Sequence, residues 1–115
     1  MSKLIFGLVF VASGCRAAAA TPGPTSEVAG CPAPPPSYRA DVEPVLRERC
    51  FACHAGNGEE VDDHDFSTFE KVHAQRADIE GKVRARAMPP AGRPQLTETE
   101  RRTLLAWIGC RAPEN

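Results

Sequence analysis

Cys50, Cys53 and His54 stand together in the pentapeptide Cys50-Phe51-Ala52-Cys53-His54. Two thiols at this spacing can add across the two vinyl groups on one edge of a haem. The adjoining imidazole is then carried under the porphyrin, where a ring nitrogen can reach the iron. A chain with five Cys and three His rarely assembles this order by chance. Two other chemistries use paired cysteines. A redox Cys-x-x-Cys belongs between a strand and a helix, but here the approach has helical periodicity. A zinc site calls for a second ligand pair, and no second Cys-x-x-Cys or His-x-x-x-His occurs. Covalent haem, one per chain, is the expectation, with Cys50 and Cys53 as its thioether anchors and His54 as the proximal iron ligand.

The second axial position has few candidates. Met1 and Met88 are the only methionines, and Met1 belongs to a leader. Met88 follows a helix-like stretch and precedes Pro89-Pro90, whose rings restrict the backbone. A stiff loop of that kind suits a weak thioether ligand. His64, in an acidic stretch, and His73, near a helix end, are the rival ligands, and core filling is the ordinary role of a methionine.

The chain of 115 residues has room for one small domain. Lys3 followed by the apolar run Leu4 to Ala12 reads as an export signal and is too short to span a bilayer as a helix. Export fits thiols that must meet haem outside the cytoplasm, and it permits disulfides. Val11-Ala12-Ser13-Gly14-Cys15 resembles a bacterial lipoprotein cleavage box with Cys15 as the lipidated residue, although Ala12 stands where leucine is commonest. Ordinary cleavage near Ala18 to Ala20 is the competing reading. Arg16 after the cysteine points to the outer membrane, on the periplasmic face. The divisions expected are a signal peptide at 1–14, a lipid-anchored Pro/Ala-rich tether at 15–36 and a mono-haem domain at 37–115. A formal charge of −1 and no basic run exclude nucleic acid as a natural partner.

Helices must position these groups. Val42, Val45, Leu46 and Cys50 recur at three- and four-residue steps, with Pro44 in the first turn. Residues 57–65 form an acidic loop without EF-hand spacing, read as solvated. Ser67 and Glu70 form a capping box that starts a short helix through about Ala74. Ile79, Val83 and Ala87 mark a third helix ending at Met88-Pro89-Pro90. Thr97 and Glu100 form a second box, opening a helix with Leu104, Leu105, Trp107 and Ile108 that stops at Gly109. No stretch alternates as a strand does. The class expected is all-α, about four short helices joined by long loops. So few apolar side chains make a marginal core, which a buried haem would complete.

With these features in hand, the chain resembles the class I c-type cytochromes, in particular small secreted bacterial domains of the planctomycete-type cytochrome c group. The resemblance runs from about Tyr38 to Gly109. It rests on Ala40 to Leu46 ahead of the haem motif, then Met88-Pro89-Pro90-Ala91-Gly92, Leu96-Thr97-Glu98 and Trp107-Ile108. It implies a class I cytochrome c-like fold, Cys50 and Cys53 as anchors, and His54 and Met88 as axial ligands. It further implies crossing first and last helices and Trp107 near the haem, where the bare residue reads as plain core. The acidic loop and Cys110 depart from the pattern. Because the first and last helices touch in that family, the two cysteines left over, Cys31 and Cys110, are expected to form a disulfide; free thiols or an intermolecular bridge are the alternatives.

The function expected is electron transfer by a monomeric carrier between unidentified donor and acceptor proteins, without catalytic residues of its own. A haem enzyme or gas sensor with an exchangeable sixth ligand is the runner-up. A haem-free structural lipoprotein comes last.

Overall fold

The computed structural model describes residues 30–115. Cys15, the signal and most of the tether lie outside the described residues. Those described fold into helices and turns with no strand. The helical path opens with a π-helical turn at Tyr38–Val42, capped by Ser37, whose hydroxyl accepts from the Ala40 N–H. It passes directly into α1, Glu43–Arg49, with Pro44 in the first turn, where a missing N–H leaves no helical bond unmade. The wide turn was not legible in the Val42–Val45–Leu46 spacing, which a plain α-helix satisfies equally well. A single turn, α2 (Phe51–His54), carries the motif itself.

Helix α3, Phe69–Ala74, is capped by Thr68, which accepts from the Lys71 N–H. The cap is thus one residue later than the expected Ser67. Ser67 is drawn instead to Asp65, whose carboxylate accepts its N–H, so the backbone enters the helix only at Phe69. Helix α4, Arg76–Arg84, buries Ile79 and Val83. It stops short of Ala87 because Arg86 takes a left-handed backbone conformation (φ 56°) and turns the chain away. Helix α5, Glu98–Gly109, has the reciprocal box that its sequence predicts: Thr97 accepts from the Glu100 N–H while the Glu100 carboxylate accepts from the Thr97 N–H.

Helix α5 lies against both α4 and the π-helical turn. Its buried face carries Arg101, Leu104, Trp107 and Ile108 at helical spacing. Val42 and Leu46 of the N-terminal segment meet that face, and all three of Val42, Leu46 and Trp107 are wholly enclosed. Tyr38 stacks edge-on against Phe69 at 4.9 Å and tilts against Trp107 at 5.4 Å. The indole N–H of Trp107 donates to the Pro113 carbonyl.

The two ends of the described chain are stitched together. Cys31 and Cys110 are bonded with their Cα atoms 4.8 Å apart. Beyond them, Ser37 Oγ donates to the Asn115 carbonyl and the Tyr38 N–H to the Asn115 side chain. Residues 32–36 form neither helix nor strand and bend at Ala33 and Pro34, since the chain is fixed on both sides. A bridge between positions 79 residues apart removes much freedom from the unfolded chain. The double variant Cys31→Ser, Cys110→Ser should lose up to about 4–5 kcal/mol in chemical denaturation, and less where other crosslinks share the loop. An unfolding free energy unchanged from the wild type would contradict a stabilising bridge.

Candidate functional site

The motif is set in place by α1. Its last turn continues through Cys50, whose N–H donates to the Leu46 carbonyl at 2.8 Å, and the N–H groups of Cys53 and His54 both donate back to the Cys50 carbonyl. Cys50 and Cys53 therefore sit on one turn of helix, with His54 directly after them. Cys50 faces apolar surroundings: burial, then the neighbouring Cys53, pushes its thiol up to about 11. Left unmodified, this thiol is neutral across the physiological range.

The chain then doubles back. Gly58 lies so close to Cys53 that any Cβ there would collide with the Cys53 carbonyl, and the Glu60 N–H donates to the same carbonyl at 2.9 Å. This return brings two groups onto His54. The ring of Phe66 stacks on the imidazole, centroids 4.5 Å apart. The carbonyl of His64 lies 2.9 Å from His54 Nδ1. A carbonyl only accepts, so Nδ1 must carry a proton, and in the neutral ring this tautomer leaves the lone pair on Nε2.

The acidic loop was expected to be merely solvated. Its far end instead forms the scaffold for that contact. Lys71 Nζ reaches Asp65 at 2.6 Å, and Gln75 bonds both the Asp65 carbonyl and the His64 ring. The hydrogen bond from Lys71, followed by those from Ser67, holds the Asp65 carboxyl down at about 2 against an ordinary 3.8. Its contribution to stability is present above pH 3.8 and disappears as the pH falls through about 2.

A cavity of about 330 Å³ opens beside the motif, within the roughly 300–1,000 Å³ common for small-molecule sites. Cys50, Cys53 and His54 line one part of it, and Phe66, Ile79, Val83, Leu96 and Leu104 form apolar walls. Met88, Pro89 and Pro90 line it from the loop after α4. Met88 is 37% exposed, the one large hydrophobic side chain left so among the described residues. Thiols, an imidazole with a free Nε2, a thioether and apolar walls together fit a covalently bound haem.

Of the rival ligands, His64 also lines the cavity, with its ring centroid 6.2 Å from that of His54 and its Nδ1 engaged by Gln75. His73 packs on Phe69 and approaches Arg76, and it does not line the cavity. Trp107 does not line it either. The resemblance implied haem packing for this residue; the structure holds its indole in the core, in the aromatic cluster with Tyr38 and Phe69 and bonded to the Pro113 carbonyl. Among the described residues, no group of three or more His, Cys, Asp or Glu converges as it would around a bare metal ion. No helix there is long and apolar enough to cross a membrane.

Sequence reading missed Gly58 and Gln75, and little in the sequence marks either. No protein-family model, curated protein or solved structure matches this chain.

Gly58→Ala should force the loop off the Cys53 carbonyl and destabilise the domain by about 1–3 kcal/mol, the usual cost of overpacking. Denaturant unfolding measures it, and a change within experimental error would show that the loop does not depend on that close approach.

Proposed function

We propose that this chain is an exported mono-haem c-type cytochrome that carries electrons. The observation that carries the reading is the meeting of Cys50, Cys53, His54 and Met88 around one apolar cavity, with His54 held in the tautomer whose Nε2 is free. Cys50 and Cys53 are the covalent anchors, and His54 and Met88 are the axial ligands. When bound, haem supplies the one-electron iron couple.

The protein's own groups tune and protect that couple. His54 keeps its proton on Nδ1 by donating to the His64 carbonyl, which fixes the ring and strengthens Nε2 as a donor. Phe66 limits rotation of the ring by stacking on it. Ile79, Val83, Leu96 and Leu104 would shield a bound haem from water on their side of the cavity, favouring its state of lower charge. A thioether from Met88 acts in the same direction, raising the potential above that of a bis-imidazole site. Were haem held by both His54 and Met88, its iron would exchange electrons without taking up substrate. This distinguishes the carrier from a haem enzyme or gas sensor, in which the sixth position must exchange.

Two further features support a class I cytochrome c-like fold: α5 lies across the N-terminal helical segment, and the Met88 loop follows a helix that walls the cavity. The reading extends to a lipid on Cys15, tethering the domain to the periplasmic face of a bacterial outer membrane. One acyl chain holds weakly, so the several chains of a bacterial lipoprotein would be required. A tether of about fifteen small and proline-broken residues spans about 20 Å, enough to let the domain meet donor and acceptor proteins near that surface.

Met88→Ala should retain covalent haem and lose the thioether–iron charge-transfer band. Its potential should fall by on the order of 100 mV, within the roughly 0.8 V that axial ligands span, and the reduced protein should bind carbon monoxide. A variant with wild-type spectrum and potential would remove Met88 from the iron.

A further inference from the structure

Arg101 is the one charged residue buried among the described residues, 7% exposed. Its Nη1 donates to the backbone carbonyl of Val83, in the last turn of α4. Its Nε is enclosed without a hydrogen-bond partner. The neighbouring Glu98 carboxylate stands 3.7 Å away and is already bonded to Arg86 at 2.8 Å. A guanidinium buried on such terms is expensive, and packing alone would favour an apolar side chain in its place. What it does accomplish is to fasten α5 to the end of α4, five residues before Met88.

The segment between is wound back onto the same helix end. The Val83 carbonyl also accepts from the Arg86 N–H, and the Lys82 carbonyl accepts from Ala87 at 2.9 Å and Met88 at 3.4 Å. Arg86, in its left-handed conformation, is pinned by Glu98. After Met88 the problem is different. Pro89, Pro90 and Pro94 lack N–H groups, so this stretch is poor in donors and its carbonyls need partners from elsewhere. The Pro90 carbonyl accepts from the Arg93 N–H, and one side chain adds more: the two N–H donors of Gln95 Nε2 are shared among the carbonyls of Pro89, Pro90 and Arg93, 3.0–3.1 Å away. Gln95 is itself exposed, so its amide is drawn inward to the loop although water is available to it.

We propose that Arg101 and Gln95 are positioning residues that clamp the Met88 loop from either side, holding the thioether at the cavity against competing ligands from solution. Arg101 fixes where the loop leaves α4, and Gln95 fixes its return to α5. Neither touches the thioether. The proposal rests on Met88 as axial ligand, and it adds that the lifetime of that ligation is set by these two side chains.

The test is imidazole binding to the oxidised, haem-loaded full chain by stopped flow, alongside the thioether–iron charge-transfer band. Gln95→Ala, at an exposed position, should bind imidazole about tenfold faster and show a weakened band, with its denaturant midpoint unchanged. Arg101→Lys, which keeps the charge but loses the fixed planar fork, should move both readouts in the same direction. Arg84→Ala, whose exposed side chain pairs with Glu80 of α4 and with no group of the loop, should behave as the wild type. If the wild-type band vanishes in Met88→Ala but band and imidazole rate are unchanged in both Gln95→Ala and Arg101→Lys, the clamp is refuted and the ligand reading stands. If the wild type has no such band and Met88→Ala takes up imidazole no faster, the ligand reading fails and the clamp fails with it.

Discussion

The bond from His54 Nδ1 to the His64 carbonyl is the constraint on which the site depends. It fixes the tautomer, and through the tautomer it decides that Nε2 faces any occupant as a lone-pair donor. The bond exists only if the chain returns to His54 within ten residues. That return needs Gly58 at the Cys53 carbonyl, Phe66 over the ring, and Asp65 anchored by Lys71. Gln75, at the junction of α3 and α4, ties the returning loop to the helices. Stretches that look like separate turns are therefore parts of one support for a single imidazole.

The rest of the fold is one apolar cluster that runs from a closed end to the walls of the cavity. On one side, Tyr38, Phe69 and Trp107 pack with Val42 and Leu46 into an apolar cluster that excludes water. On the other, Ile79, Val83, Leu96 and Leu104 present their surface to the cavity, and Met88 stands at its edge partly exposed. A domain this small gains little from its own apolar burial. Its terminal stitching through Cys31–Cys110 and Ser37–Asn115 adds to what the core provides. The Arg49–Glu100 pair, with nitrogen–oxygen distances of 3.0 and 3.1 Å, joins α1 to α5 beside that cavity and adds direction that apolar packing does not provide.

Much of this was legible in the sequence where chemistry or periodicity is local. Cys50, Cys53 and His54 stand out by spacing and Met88-Pro89-Pro90 by the scarcity of methionine, and all of these residues line the same cavity. Thr97 and Glu100 mark the start of α5 because a capping box is written within four residues, and Gly109 marks its end. Where two local solutions compete, the sequence is silent: Ser67 and Thr68 are adjacent hydroxyls, and only the pull of Asp65 on Ser67 makes Thr68 the cap. Features built from backbone carbonyls were invisible. The carbonyl of His64, the crowded Gly58 and the three carbonyls gathered by Gln95 have no signature in residue type. Trp107 was equally undecided, since a large aromatic on α5 suits a haem wall or a core, and only the location of Tyr38 and Phe69 assigns it to the core.

The account turns on covalent haem at Cys50 and Cys53, and intact mass spectrometry of the exported protein under denaturing, reducing conditions addresses it most directly. The predicted result is a chain carrying the mass of one haem that survives unfolding, with fragmentation locating it between Cys50 and His54. A chain of unmodified mass with two titratable thiols at Cys50 and Cys53, exported from cells that mature c-type cytochromes, would contradict it.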